Sequence, residues 1–253
     1  MMYGIDVSAG SGVDFKALKD AGYRFVIARA GWGSKKKDNQ IDRDFHSNIE
    51  KALSAGLYVG AYWFIYARTV PEAQENALRF HEAVERYRGR LDMPMYIDYE
   101  YDSTRYYQDQ TGQVESREFA TAAINAAAQQ MEKLGWYTGV YLNPDYIKNH
   151  VKLDDLRRYS LWLAQWKQFD NNPAYACGMW QYSGDTYLQG IASGRVDLDV
   201  SYDDFPMIIR ETGLNGFTPE TSGIYGEIEV GGHGIYGRTI RINENGTWEF
   251  VNG

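Results

Sequence analysis

Short apolar runs recur along this chain with longer amphipathic stretches between them, and this rhythm limits the possible folds more than any other feature. Runs rich in Val, Ile, Tyr and Phe occupy Tyr3–Val7, Arg24–Ala30, Leu57–Phe64, Met95–Tyr99 and Tyr137–Leu142 and read as strands. Helical patterns lie at Asp14–Ala21, Ile41–Ala55, Pro71–Tyr87 and Glu115–Leu134. Pro71 ahead of Glu72 suits a helix start, and Gly22, Gly56 and Gly135 sit just past helix ends. Such alternation implies parallel strands joined by right-handed crossovers. After Tyr141 the rhythm shortens. Three more strand-like runs, Ser160–Trp166, Gly178–Tyr182 and Val196–Ser201, follow one another too closely for full helical crossovers, which take about a dozen residues or more. Five βα repeats and three loop-joined strands therefore make an abbreviated, irregular α/β barrel over residues 1–209.

Beyond it, Arg210–Glu220 carries the Gly, Asn, Thr and Pro of a linker, taken here as 210–222. Gly223–Val230, Ile235–Ile242 and Thr247–Val251 read as three short strands, with GGHG and NENG supplying turns. A segment of that size, 223–253, holds little core alone. It is expected to pack on the barrel or to serve as a targeting or oligomerisation module.

Composition excludes several classes. With 26 Lys+Arg against 34 Asp+Glu, the net charge of −8 argues against nucleic acid or an anionic membrane surface as partner. The longest apolar run, Leu57–Ala67, is too short to span a bilayer, for which about 20 residues are needed, so no membrane insertion is expected. The first residues, MMYGIDVSAG, have neither a basic n-region nor an apolar h-region, so no signal peptide is expected. Cys177 is the sole cysteine, which precludes an intramolecular disulfide and a Cys-based metal site. Aromatic residues are abundant (21 Tyr, 10 Phe, 7 Trp), in keeping with a core that also offers ring faces to sugars.

Working residues of a parallel barrel sit at the C-terminal ends of its strands. Reading those ends gives Asp6 on the first, Tyr62 and Trp63 on the third, Asp98 and Glu100 on the fourth, and Tyr141 and Asn143 on the fifth. Gln165 and Trp166 follow on the sixth, Trp180 and Gln181 on the seventh, and Asp197 and Asp199 on the eighth. Carboxylates from strands one, four and eight would converge on one cavity. Within Tyr96-Ile97-Asp98-Tyr99-Glu100, the two acids are two residues apart on a strand and face the same side. Neighbouring carboxyls cannot ionise independently, and a neutral acid beside an ionised partner is what glycosidic cleavage needs. In isolation the same D-x-E would be a solvated strand end or a cation site; Asp6 and Asp197 at neighbouring ends favour the catalytic reading.

The ordered pieces GIDVS (Gly4–Ser8), RFVIARAGWG (Arg24–Gly33), GAYWF (Gly60–Phe64) and YIDYE (Tyr96–Glu100) resemble the glycoside hydrolase family 25 lysozymes, the N-acetylmuramidases of phage endolysins and bacterial autolysins. So do GVYLN (Gly139–Asn143), LWLAQW (Leu161–Trp166), MWQYS (Met179–Ser183) and VDLDVS (Val196–Ser201). The resemblance implies a TIM-like (β/α)5(β)3 barrel, here with a small C-terminal β appendix. It implies cleavage of the β-1,4 bond between N-acetylmuramic acid and N-acetylglucosamine in bacterial peptidoglycan, without a cofactor. By the same resemblance Glu100 is the general acid, Asp98 stabilises the intermediate, Asp6 and Asp197 complete the acidic set, and Tyr62, Tyr141, Trp166 and Gln181 line the cleft. Asp199 shares a face with Asp197, and the choice between them stays open, as does retention through the substrate's N-acetyl group against inversion. Action on the cell wall is implied, after release through a phage holin or by another route. A barrel that binds wall glycans without cutting them, and an enzyme acting on chitin, are the alternatives.

Other candidates carry less. Trp63 and Trp180 are expected to pack, with Tyr62 and Tyr141 facing a ligand. His46, His81, His150 and His233 pair at no ligand spacing, so no metal is expected. Ser8 lacks a G-x-S-x-G elbow, and Gly10, Gly12, Gly31 and Gly33 form no nucleotide fingerprint. Lys35-Lys36-Lys37 reads as a solvated loop, or as a contact to wall phosphates or peptide carboxylates.

Overall fold

The computed structural model describes residues 1–33, 40–166 and 172–219, together with the strand backbones 226–230, 238–242 and 248–250. Eight strands close into a barrel in chain order: β1 (Met2–Val7), β2 (Phe25–Trp32), β3 (Tyr58–Phe64), β4 (Met95–Asp98), β5 (Thr138–Leu142), β6 (Ser160–Ala164), β7 (Met179–Thr186) and β8 (Val196–Ser201). Helices α1 (Phe15–Asp20), α2 (Phe45–Ser54) and α3 (Val70–Val84) join the first four strands. Two helices, α4 (Tyr101–Thr111) and α5 (Arg117–Lys133), lie between β4 and β5. Between β5 and β6 there are only a π-helical turn, Tyr146–His150, and a 3-10 turn, Leu153–Leu156. A final helix, α6 (Phe205–Thr212), follows β8. The α/β barrel expected from the spacing is thus the fold, and no helix among the described residues is long and apolar enough to cross a membrane.

Three local readings need correction. Strands β1 to β7 pair in parallel, but β8 runs antiparallel to both β7 and β1. Asp197 therefore stands near the start of its strand, not the end, and reaches the rim at the C-terminal ends of the parallel strands because its own strand is reversed. The helix α4 has no counterpart in the periodicity, since in YDSTRYYQDQT only Ser103 and Tyr107 are buried. Its start is fixed instead by a cap, where the Glu100 N–H donates to Ser103 Oγ at 3.3 Å. The helix read from Ile41 begins only at Phe45; Ile41 pairs with Gly31, and Asp42 turns its carboxylate inward.

Side chains alternate across the barrel wall with period two. One face, with Ile5, Val26, Val59, Trp63, Ile97, Val140, Leu161 and Trp180, packs against the helices. Trp63 and Trp180 are fully enclosed in that layer, as expected of packing residues. The other face fills the barrel with Phe25, Ile27, Tyr62, Tyr96, Tyr141, Trp162 and Met179. So many rings fit because glycines stand opposite them. A Cβ on Gly139 would lie 2.3 Å from the Tyr96 ring, and one on Gly4 would lie 2.4 Å from Phe25.

The linker reading fails at its start, because α6 carries the chain on to Thr212 and a further turn, Leu214–Gly216, closes the barrel floor. There Asn215 is fully buried; its Oδ1 accepts from Tyr137 N at 2.7 Å, and its Nδ2 donates to Leu91 O and Met93 O at 2.8 and 3.2 Å. Its φ of 57° lies in the left-handed region, which Asn tolerates better than other non-glycine residues. Farther on, β9 (Gly226–Val230), β10 (Arg238–Ile242) and β11 (Trp248–Phe250) form an antiparallel sheet in the order β11-β10-β9. Replacing Asn215 by Ala leaves three buried backbone groups without partners and is expected to cost about 2–4 kcal/mol in denaturant unfolding. A loss near zero would restore the linker reading.

Candidate active site

The β1–β8 register sets Asp6 directly opposite Asp197, and Gln181 on β7 lies in register with Asp199. Gln181 joins these acids. Its Oε1 accepts from Tyr141 OH at 3.1 Å and from Trp166 Nε1 at 2.9 Å. Both are donors here, and an indole N–H can only donate, so the amide orientation is fixed. Its Nε2 must then face the carboxylates, donating to Asp6 Oδ2 at 2.8 Å and reaching Asp197 Oδ2 at 3.4 Å. Asp185 N donates to Asp197 Oδ1 at 2.7 Å from a hairpin position with φ of 58°. The register between β7 and β8 shifts on either side of Ser183, an irregularity of the β-bulge kind.

Asp98, the last residue of β4, is 2% exposed, and its Oδ1 has no hydrogen-bond partner among the described residues. Burial raises its carboxyl well above the usual range; Glu100 and Asp6 push the same way and Arg29 opposes them. Burial and the Asp197 charge also raise Asp6. Glu100 stands just beyond β4 as the cap of α4, less enclosed than Asp98, and is pushed up to about 7 by burial, then by Asp102 and Asp197. The site therefore holds a carboxyl that keeps its proton near neutrality beside groups that resist a second negative charge.

Behind Glu100 a polar cluster fixes the start of α4. Tyr99 OH donates to Glu115, Thr104 Oγ1 donates to Glu115 Oε2 at 2.7 Å, and Thr104 and Tyr146 share a hydrogen bond of 2.5 Å. His150 stacks on Tyr146 with centroids 4.5 Å apart, His46 bonds Tyr87, and Trp136 Nε1 donates to His81; these histidines have structural partners. Among the described residues no group of His, Cys, Asp and Glu has the makings of a metal site. His233 and Lys35-Lys36-Lys37 lie outside the described residues.

Tyr62 and Tyr141 project into the barrel, where both meet the ring of Trp162 edge-on at 5.8 and 4.7 Å. Each keeps only a sliver of exposure, 8% and 9%. Trp166 is 66% exposed yet not free to turn, because its N–H is held by Gln181 and its ring lies on Gly184, where a Cβ would meet it at 2.7 Å. Reading strand ends named nothing on β2, and that omission hid Arg29. It follows Phe25 and Ile27 at period two, the signal that could have found it. Arg29, Trp32, Phe64, Tyr66 and Asp102 line a cavity of about 260 Å³. Asp42 holds the guanidinium through Nε at 2.8 Å and also accepts from Ala9 N at 3.0 Å, tying β2 to the loop after β1.

Carboxyls gathered at a barrel mouth, with an indole held beside them, are an arrangement suited to cleaving glycosidic bonds. The sequence profile described as glycosyl hydrolases family 25 matches residues 5–191, and the chain belongs to that family. Solved structures agree in fold. The CTP1L endolysin superposes with a TM-score of 0.67 at 25% identity, covering 84% of this chain and 70% of its own. The catalytic domain of endolysin ply40, from bacteriophage P40 of Listeria monocytogenes, gives 0.67 at 18% identity over 85% of this chain and 98% of its own. The modular autolysin LytC of Streptococcus pneumoniae, solved with a synthetic peptidoglycan ligand, gives 0.66 at 23% identity over 79% of this chain. This chain spans 46% of LytC. No curated protein matches the sequence.

The raised Glu100 carboxyl ties stability to pH. From its ordinary value of 4.5 up to about 7, the folded state keeps a proton that the unfolded chain has released, so stability falls as pH rises through that window. Asp6 and Asp98 contribute with the same sign. Glu100→Gln is expected to lose less Tm than the parent between about pH 5 and about pH 8 in thermal melts. Equal losses in both would mean that Glu100 ionises freely in the folded protein.

Proposed function

We propose that this protein is a lysozyme, an N-acetylmuramidase cutting the β-1,4 bond between N-acetylmuramic acid and N-acetylglucosamine in peptidoglycan. The observation that carries the reading is Glu100, a carboxyl at the barrel mouth pushed up to about 7 beside the buried Asp98. Membership of family 25 and the likeness to wall-lytic endolysins support it.

In this mechanism the Glu100 proton passes to the glycosidic oxygen as the bond from that oxygen to C1 breaks. The carbonyl oxygen of the substrate's own N-acetyl group closes on C1 and takes up the positive charge. Asp98, whose Oδ1 has no hydrogen-bond partner among the described residues, accepts from the N–H of that acetamido group and stabilises the cyclic ion. Water then attacks C1 as the bond from C1 to the acetamido oxygen breaks and the N-acetyl group is regenerated, while the Glu100 carboxylate takes the water's proton, which restores the acid and returns the sugar with its β configuration. Asp6 and Asp197, clamped by Gln181, border the same charge, and Trp166 offers its fixed face to a sugar ring. Peptidoglycan as substrate makes the cell wall the place of action. The sheet at 223–253 is assigned to wall targeting or self-association.

Glu100→Gln is expected to keep the fold and lower reducing-end release from purified cell walls by about 10³-fold or more. Undiminished release would overturn the assignment, and wall binding by the parent protein without any release would leave a glycan-binding barrel. Proton NMR of fresh digests should show the β-anomer forming first; an initial α-anomer would assign inversion instead. Truncation after Thr218 is expected to leave hydrolysis of short glycans intact while lowering retention on whole walls or the native mass. If neither retention nor mass changes, the tail has neither role.

A further inference from the structure

Among the described residues three aromatic side chains are more than half exposed, Tyr101, Trp166 and Tyr187, and each stands just past the mouth end of a strand, β4, β6 and β7 respectively. Trp166 has a place in the mechanism above. Tyr101 has none, although it follows Glu100 directly. An exposed tyrosine on a polar helix is ordinarily free to change rotamer. This one is held at its tip and along its ring. Its OH donates to Asp145 Oδ2 at 2.8 Å, a bond that lays the side chain across from the end of β4 to the loop after β5. Its ring meets those of Tyr146 and His150 nearly at right angles, with centroids 5.2 and 6.3 Å apart. The holders are themselves fixed. Asp145 accepts from Asn149 Nδ2 at 2.6 Å and lies 3.3 Å from His150 Nε2. Tyr146 is fully buried, stacks on His150 and shares a hydrogen bond with Thr104, one turn along α4 from Tyr101. Tyr146 and His150 belong to the π-helical turn, a feature that recurs at functional sites. After all these contacts Tyr101 is still 54% exposed. The ordering of an exposed ring, which a ligand must otherwise impose, is thus complete in the free protein.

We propose that Tyr101 is a substrate-binding residue, a fixed platform on which a hexosamine ring of the glycan strand stacks beside the bond that Glu100 protonates. The proposal rests on the hydrolase reading and adds a second point of grip to the one offered by Trp166. A sugar ring presents apolar C–H faces, and tyrosine meets them with an aromatic face while its polar tip keeps its own hydrogen bond. Holding the strand at the ends of both β4 and β6 orients it over the carboxyls between them.

Working in the Glu100→Gln background separates binding from cutting. Soluble, peptide-free oligomers of N-acetylmuramic acid and N-acetylglucosamine, titrated calorimetrically, should bind Glu100→Gln/Tyr101→Ala about tenfold more weakly than Glu100→Gln. Glu100→Gln/Tyr101→Trp keeps a ring and should bind within about threefold of Glu100→Gln. With Glu100 in place, Tyr101→Ala should raise KM about tenfold and lower kcat by less than about threefold. A purely structural role would give the opposite split, because loosening the start of α4 displaces Glu100 and lowers kcat. Unchanged affinity in Glu100→Gln/Tyr101→Ala would overturn the proposal, as would a Trp variant no better than Ala, or a loss confined to kcat. Where the Ala variant does not fold, NMR of ring-labelled tyrosine in Glu100→Gln is decisive, since it needs no change at this position. The Tyr101 signal should shift on addition of oligomer, and an unmoved signal would overturn the proposal. A parent protein that binds the oligomers but releases no reducing ends refutes the hydrolase reading and leaves the platform standing, so the two failures are distinct.

Discussion

The site depends on the direction of one strand. With β8 parallel to its neighbours, the same six residues would carry Asp197 to the barrel floor, away from Glu100. Running antiparallel against β1, β8 instead places Asp197 opposite Asp6 at the rim and sends Asp199 one layer inward. Short loops after β6 make the reversal natural, since an antiparallel neighbour needs only a hairpin where a parallel one needs a crossover. The hairpin then serves the site directly, because its strained Asp185 supplies the N–H that holds Asp197 Oδ1.

From that reversal follows a hydrogen-bond network of fixed polarity. Trp166 can only donate, and Tyr141 OH donates to the Gln181 carbonyl oxygen, so these arrows run through Gln181 to Asp6 and Asp197, while Trp162 donates to Asp199. Buried polar networks stabilise when every member is satisfied and cost stability when one is not. Here Asp98 Oδ1 and Asp199 Oδ2 have no hydrogen-bond partner among the described residues, and the first lies where the substrate is proposed to bind. The aromatic lining has a structural side as well: Tyr62, Tyr96 and Tyr141 meet edge-on or tilted around Trp162, and Gly139 leaves the room that this plug of rings requires. The floor of the site is thus the core of the barrel, which couples the position of the carboxyls to the packing beneath them.

Much of this was legible in the sequence because strands state their period plainly. The apolar runs gave all eight barrel strands, and strand ends gave Asp6, Asp98, Glu100, Asp197 and Gln181. What escaped has physical reasons. Strand direction is not written in a strand's own residues; it follows from connection length, so Asp197 was found through an end-of-strand rule that does not apply to it. The polar α4 is set by a cap and by the Tyr99–Glu115–Thr104 contacts, which are tertiary, not by an apolar stripe. Asn215 resembles a turn residue in a linker, and only its three buried bonds reveal it as a fastening of the floor. Arg29 lies within β2, where a rule about strand ends does not reach, and only the period-two face it shares with Phe25 and Ile27 points to it.

The contrast between Asp98 and Glu100 bears most directly on how the site works. The two are a dipeptide step apart, and burial raises both. Asp98 is the more enclosed of the two, with an unpartnered Oδ1, and suits a fixed hydrogen-bonding task. Glu100 stands past the strand, at the helix cap, with enough access to give its proton to a leaving group and recover one from water. Its value near 7 balances the two duties, since a much stronger acid would be ionised before substrate arrived and a much weaker one would hold its proton too tightly. In the proposed mechanism the end of β4 thus divides the labour: the strand's last residue holds a fixed contact, and the cap of the following helix trades protons.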